Sequence, residues 1–469
     1  MQATEKRAFA RQPHLLREAL AGSDQDYTKG SLSRGIALLA IPTMLEMAME
    51  STFSVVDAFW VARLGADSLA AVGLTEGLVV LVFSIALGLS TAATATVARR
   101  VGERDRGGAS AAAGQAIVCG AAVGIATGLA GVFLAARLLG LMGAPASVIG
   151  AGSGYARIVL GGNVAIVLLF LINGVFRGSG DAAAAMRTLW LANLINIALD
   201  PCFIYGFAFF PRLGVTGAAV ATTIGRSIGV VYQLAVLFRG KSRVRLALRH
   251  VRPDWPVMGR LLRLGSTAML QYFISTASWV SLARINARFG SAAIAGYTLA
   301  MRIILFALMP SWGIVTAATT LVGQNLGAQR PERAERAVWM AGVYNMVFLA
   351  GVAVCFFSAA RPLVGLFTSD AAVAPVAITC LQYVSLGYPF YAWGMTVEQA
   401  FNGAGDTATP TWMNFFCYWL LQIPLAWLLA EWAGMGPRGV YLAICIAESV
   451  LAVAGIVWFR RGTWKLAKV

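Results

Sequence analysis

Long apolar tracts alternate with short polar breaks along nearly the whole chain. They predict twelve helical spans, at 36–61, 69–98, 108–137, 147–175, 183–208, 215–238, 261–286, 293–321, 334–358, 372–399, 408–430 and 437–459. A bilayer core needs about 20 residues of helix, and several tracts exceed that, which requires tilt or extension into the interface. The expected fold class is therefore an all-α polytopic membrane protein. Residues 1–35 are polar and basic and carry no cleavable-signal pattern, because the first apolar tract is too long for a signal core.

The hexapeptide Phe176, Arg177, Gly178, Ser179, Gly180, Asp181 returns 225 positions later as Phe401, Asn402, Gly403, Ala404, Gly405, Asp406. The same offset sets residues 64–74 on 289–299 and residues 90–102 on 315–327. A constant offset over separated blocks indicates duplication. Six spans then fall in each half, and an even number gives both halves the same orientation. Two parallel six-helix lobes are expected, related by a pseudo-two-fold axis along the membrane normal. The boundaries read as an N-terminal tail (1–35), an N-lobe (36–238), a linker (239–260), a C-lobe (261–459) and a C-terminal tail (460–469).

Charge adds the orientation. Only 12% of residues are charged and 58% are apolar, with 37 Lys and Arg against 21 Asp and Glu. A soluble chain carries about twice that charged fraction. The basic excess concentrates in the expected inner loops: Arg99, Arg100, Arg104 and Arg106; the group from Arg239 to Arg263 in and just beyond the linker, with Lys241; Arg330, Arg333 and Arg336; and Arg460, Arg461, Lys465 and Lys468. Both termini are expected in the cytoplasm, and the net charge of +16 marks a membrane orientation rather than nucleic-acid binding. Both F-x-G-x-G-D loops then face the cytoplasm, where Asp181 and Asp406 are placed to cap the helices that follow.

Carboxylates inside spans are costly and so point to function. Glu46, Glu50 and Asp57 lie roughly on one face of span 1. Asn196 and Asp200 share a face of span 5, at a depth comparable to Asp57. Tyr155 and Thr222 fall at the same level, so four helices can bring a proton or a dehydrated Na⁺ to Asp57, Asp200, Asn196, Tyr155 and Thr222. The alternative for Asp200 is a structural role at the kink of Pro201. Glu46 and Glu50 are secondary candidates, with Glu398 and Glu448 in the C-lobe. Tyr272, Phe273, Tyr388, Tyr391 and Trp393 form a possible substrate path by stacking on a cationic or aromatic compound, packing being the other reading. The six cysteines lie in or beside apolar tracts without metal-site spacing. Neither His14 nor His250 lies in a span, and no P-loop or H-E-x-x-H occurs, so an enzyme is not expected and no cofactor is implied.

Residues Pro42 to Asp57, LGADSLAAVGL from Leu64, Asn196–Pro201, Gly323–Ala328 and both hexapeptides together resemble the multidrug and toxic compound extrusion (MATE) transporters, over nearly all of residues 35–460. The resemblance implies twelve spans around a central cleft and export of cationic or amphiphilic compounds by alternating access, in exchange for H⁺ or Na⁺. It implies a multi-pass protein of the bacterial inner membrane whose partners are the bilayer and small organic, cationic substrates. A monomer is expected. Asp57, Asn196 and Asp200 match first-lobe positions of the prokaryotic branch that resembles DNA-damage-inducible F (DinF-like) proteins, with Tyr155, Asn173 and Thr222 as looser matches. The NorM branch has acids in spans 7 and 10, where the nearest positions here are Ser275 and Tyr391. The chain is therefore expected closer to the DinF-like branch. A flippase for a lipid-linked precursor or polysaccharide and a non-transporting membrane scaffold or receptor are the competing functions.

Overall fold

The computed structural model describes residues 15–22, 25–207, 210–240, 242–467 and 469; His14, Lys241 and Lys468 lie outside the described residues. Among the described residues, twelve helical spans follow one another. They are span 1 (Leu32–Ala62), span 2 (Ala66–Gly102), span 3 (Arg106–Leu141), span 4 (Ala146–Gly161 and Asn163–Ser179), span 5 (Ala182–Tyr205) and span 6 (Val215–Arg239) in the first lobe. The second lobe holds span 7 (Trp255–Ala287), span 8 (Ser291–Gly327), span 9 (Pro331–Gly365), span 10 (Val373–Leu386 and Tyr388–Ala404), span 11 (Ala408–Trp432) and span 12 (Pro437–Arg460). Span 7 is long enough to cross a bilayer but less apolar than the others, since it carries Arg260, Arg263, Gln271 and Arg284.

Three departures from the sequence expectation matter. Spans 4 and 10, expected as single helices, bend by 41° and 59°. The breaks fall at Gly162 and Gly387, 225 residues apart. Span 11 winds as a π-helix at Phe415–Gln422 and again at Leu428–Trp432, a local feature that re-aims side chains within a helix. Spans 2 and 8 also run several residues past their expected cytoplasmic ends.

The two hexapeptides end spans 4 and 10 in the same way. Gly180 (φ 90°) and Gly405 (φ 87°) take the left-handed conformation that closes a helix. Asp181 then accepts from the Ala184 amide at 3.1 Å and Asp406 from the Thr409 amide at 3.1 Å, which caps the next helix. A Cβ on Gly178 would lie 2.6 Å from the Thr94 carbonyl oxygen, and one on Gly403 would strike the Thr319 carbonyl. These glycines let span 4 meet span 2, and span 10 meet span 8, backbone to backbone.

Reciprocal contacts join the lobes. Span 1 packs on span 8, and span 2 on span 7. Gly88 faces Met269 and Gly313 faces Met44; Gly102 abuts the Gln324 carbonyl and Gly327 the Arg99 carbonyl. Each pair is the other shifted by 225 residues, as a two-fold relation demands. All of these approaches lie in the half of the bundle that holds the two hexapeptides, reaching roughly 20 Å from the helix ends there. The lobes pack closely there.

Both chain ends reinforce that packing. Tyr27 is buried and donates to Gly180 O at 3.3 Å, while its own carbonyl faces Asn325 and Arg333 of the other lobe. Burial pushes its phenol up to about 12, so it remains a donor. Arg330 donates to Thr28 O at 2.8 Å. From the other end, Arg99 of span 2 donates to Ala467 O at 2.6 Å. The linker forms one 3₁₀ turn, Leu248–Val251, and Gln115 of span 3 pins it by donating to His250 O and Arg252 O.

Candidate functional site

Span 1 carries Asp57 and span 5 carries Asp200 into the first lobe, where both are buried. Both Asp200 oxygens and Asp57 Oδ1 are enclosed without a hydrogen-bond partner. The two carboxylates lie within electrostatic reach of each other. Asp200 therefore does not serve as a hydrogen-bonded brace at the Pro201 kink. Asn196, one turn before Asp200, donates to Thr222 Oγ1 at 2.8 Å and leaves its own Oδ1 free. Tyr155 is buried at the same level, within electrostatic reach of Asp57 and Asp200. Glu76 of span 2 lies within electrostatic range of both Asp57 and Arg302 of the second lobe. Such a set of unpartnered oxygens, with repulsion between two buried carboxylates, is relieved by a proton or a hard cation.

A second layer lies deeper. Glu50 Oε2 accepts from Asn193 at 2.9 Å, and Arg226 stands 3.8 Å from Glu50 Oε1. Deeper still, Glu46 is fully buried and its Oε1 accepts from Asn173 at 2.9 Å and from Arg177 at 3.0 Å. Gln233 donates to Asn173 Oδ1 at 2.7 Å, and Arg177 reaches Ser90 Oγ at 3.4 Å. Asn173 thus belongs to the Glu46 network and not to the Asp57–Asp200 cluster. Arg177, Gln233 and Ser90 were not singled out from the sequence. Arg177 was read only as a letter of the hexapeptide, although a basic residue buried one turn from Asn173 signals an acidic partner.

The second lobe holds its own buried acids. Glu448 of span 12 accepts from Tyr418 of span 11 at 3.4 Å and interacts with Glu398 of span 10. Asn414 donates to Ser275 Oγ at 3.1 Å and lies beside the Glu398 carboxylate. At the break of span 10 a small cavity of about 20 Å³ is lined by Trp279, Gly387, Tyr388, Tyr391 and Glu448, among others.

The aromatic residues separate. Tyr388 and Tyr391 line that pocket, and Tyr272 sits at the lobe interface with its hydroxyl 3.4 Å from Thr91 Oγ1. Phe273 is exposed. Trp393 packs against Gly342 of span 9 and tilts on Trp339, so it belongs to helix packing rather than to a path.

The chain matches the family model described as MatE over residues 42–202 and 266–428. It is 25% identical to the "Probable multidrug resistance protein NorM" of Thermotoga maritima over 91% of this chain and 92% of the relative. A protein of the same name from Pseudomonas aeruginosa is 28% identical over 93% and 90%. The solved "Outward-facing conformation of a multidrug resistance MATE family transporter of the MOP superfamily" superposes with a TM-score of 0.88 at 28% identity, covering 94% of this chain and 98% of that one. These NorM relatives overturn the expected placement nearer the DinF-like branch. The expectation leaned on the missing acids at Ser275 and Tyr391. Glu398 and Glu448 supply second-lobe carboxylates from other helix turns, so those two positions do not separate the branches.

Proposed function

The chain belongs to the MatE family, and from that premise we propose that Asp57 and Asp200 form the coupling pair of a secondary antiporter for small organic cations. Family membership makes the chain a multidrug and toxic-compound efflux transporter of the bacterial inner membrane, driven by H⁺ or Na⁺ and not an enzyme. One observation carries the assignment of the pair. Three carboxylate oxygens from spans 1 and 5 are buried together with no protein partner. A cation entering the site neutralises them, and removing it restores the repulsion. Substrate and coupling ion then exclude one another electrostatically, which is the thermodynamic requirement of exchange. Asn196, Thr222 and Tyr155 supply the remaining oxygens of the site.

The first-lobe acids also favour a positively charged cargo over the anionic headgroup of a lipid-linked precursor. We take the monomer as the working unit, since each lobe supplies a complete polar cluster of its own. The test is efflux from proteoliposomes under separately imposed pH and Na⁺ gradients. Coupled efflux that survives in both Asp57→Asn and Asp200→Asn would remove the pair from the mechanism.

A further inference from the structure

The linker between the lobes carries a surface that the transport sites leave unused. From Pro201 to Pro331 the chain holds one acidic residue, Asp254, while the stretch from Arg239 to Arg263 holds seven arginines and a lysine. Asp254 is already committed: its Oδ1 accepts from the Val257 amide at 3.2 Å and caps span 7. Arg245, Arg249, Arg252, Arg260 and Arg263 are exposed, and among the described residues none of the five pairs with an acid. Their one side-chain hydrogen bond there runs from Arg249 Nε to His250 Nε2 at 3.2 Å. Other arginines at the same end of the bundle find partners, as Arg100 does in Glu103 at 2.9 Å and Arg333 in Lys29 O at 2.9 Å.

Apolar side chains share this surface. Leu248 is 82% exposed and Trp255 73%, and Val251 and Leu262 are exposed as well. The backbone that bears Leu248 is pinned by span 3, so the side chain is held outward. Ser110 Oγ accepts from the Arg245 amide at 3.2 Å. Gln115 donates to His250 O and Arg252 O and accepts from the Asp254 amide at 2.9 Å. A Cβ on Gly114 would strike the His250 carbonyl. Ser110 and Gln115 lie about 6 and 14 Å along span 3 from its first residue, Arg106, at about 1.5 Å per residue. The linker thus runs alongside the bundle, at the level where the apolar tract of span 3 begins, and not beyond its end. A leucine and a tryptophan set among arginines at that level suit a bilayer interface, with the apolar groups toward acyl chains and the cations at headgroups.

We propose that the linker and the first turns of span 7 form a binding surface for anionic phospholipid. Headgroup phosphates lie on Arg245, Arg249, Arg252, Arg260 and Arg263, and the upper acyl chains lie against Leu248 and Trp255. Guanidinium forks match phosphate oxygens two at a time. A headgroup with net negative charge also balances a surplus that a zwitterionic one leaves unbalanced. Arg245, Arg249 and Arg252 are held on span 3 of the first lobe, whereas Arg260 and Arg263 belong to span 7 of the second. Bound lipid therefore ties the lobes together at their covalent joint. The surface stands independently of the antiporter reading.

The test uses the full chain in nanodiscs of mixed phosphatidylglycerol and phosphatidylcholine. Leu248→Cys carries a fluorophore in a background without the six native cysteines. A nitroxide near the top of the acyl chain is placed on one lipid or on the other. Quenching is expected to favour labelled phosphatidylglycerol by about fivefold or more, since each arginine near an anionic surface contributes about fivefold in affinity. Arg249→Gln with Arg252→Gln removes most of that preference, while Arg249→Lys with Arg252→Lys keeps it and so separates charge from shape. Equal quenching by the two lipids, quenching by neither, or a preference unchanged by the glutamine pair overturns the proposal. Inorganic phosphate is added as a competitor and leaves the quenching unchanged; loss of the preference to phosphate would make this a free-anion site and overturn the lipid surface.

Discussion

Arg177 Nη1 lies 3.0 Å from Glu46 Oε1 in the interior of the first lobe, and the residues at the equivalent positions of the second lobe, Asn402 and Gln271, carry no charge. A symmetric frame thus encloses two electrostatically different interiors. Removing the cation alone leaves a buried, uncompensated carboxylate. Arg177→Ala is expected to destabilise the protein by about 3–5 kcal/mol. The pair of changes Arg177→Met with Glu46→Gln is expected to recover most of that loss. Thermal unfolding in detergent measures both, and a near-silent Arg177→Ala would show the pair to be energetically idle.

Asp57→Asn and Asp200→Asn keep shape and lose charge. Each is expected to lower gradient-driven efflux at least tenfold while leaving folding intact. Asn196→Ala removes a ligand and a bond to Thr222 but no charge, so a smaller loss is expected, with a weaker apparent affinity for the coupling ion. Initial efflux rates against ion concentration separate the two patterns.

The close contact between the lobes at the hexapeptide end depends on glycine. A Cβ at Gly102 or Gly327 would overlap a backbone carbonyl of the other lobe. Gly102→Ala and Gly327→Ala are each expected to disfavour the closed form by about 1–3 kcal/mol. In a cysteine-free background, a cysteine at the buried lobe-interface position Ala317 should then label faster from the cytoplasmic side. Unchanged labelling in both variants would disconnect these glycines from closure.

Tyr27→Phe deletes the bond to Gly180 and is expected to cost about 0.5–1.5 kcal/mol, with Tyr27→Ala costing more. The phenol titrates higher in the folded protein than the usual value of about 10, because burial disfavours the phenolate. Its contribution is therefore complete below about pH 10 and is lost as pH rises toward the folded value. The stability difference between wild type and Tyr27→Phe should stay flat from about pH 6 to 9.

Much of the frame can be read in the sequence. Apolar length gives the spans, and the repeated hexapeptide gives the duplication, because a glycine that must adopt positive φ and an aspartate that must cap a helix tolerate few substitutes. Asp57, Asn196 and Asp200 are legible for a related reason: charge and amide groups are rare where hydration is absent. The breaks at Gly162 and Gly387 were not legible, since glycine occurs throughout these helices and only packing decides which one bends. Arg177 was hidden inside a loop motif.

The sequence by itself determined what is periodic and local: twelve apolar helices, their duplication and the caps that end them. Tertiary structure decided which polar groups meet. Asn173 pairs with Glu46 rather than with Asp57, Trp393 packs rather than lines a path, and the lobes meet through paired glycine contacts at the end that holds the hexapeptides. The reason is physical. Burial of apolar surface depends on composition summed along a helix, whereas a hydrogen bond or a buried charge depends on a few tenths of an ångström between residues that are distant in the chain.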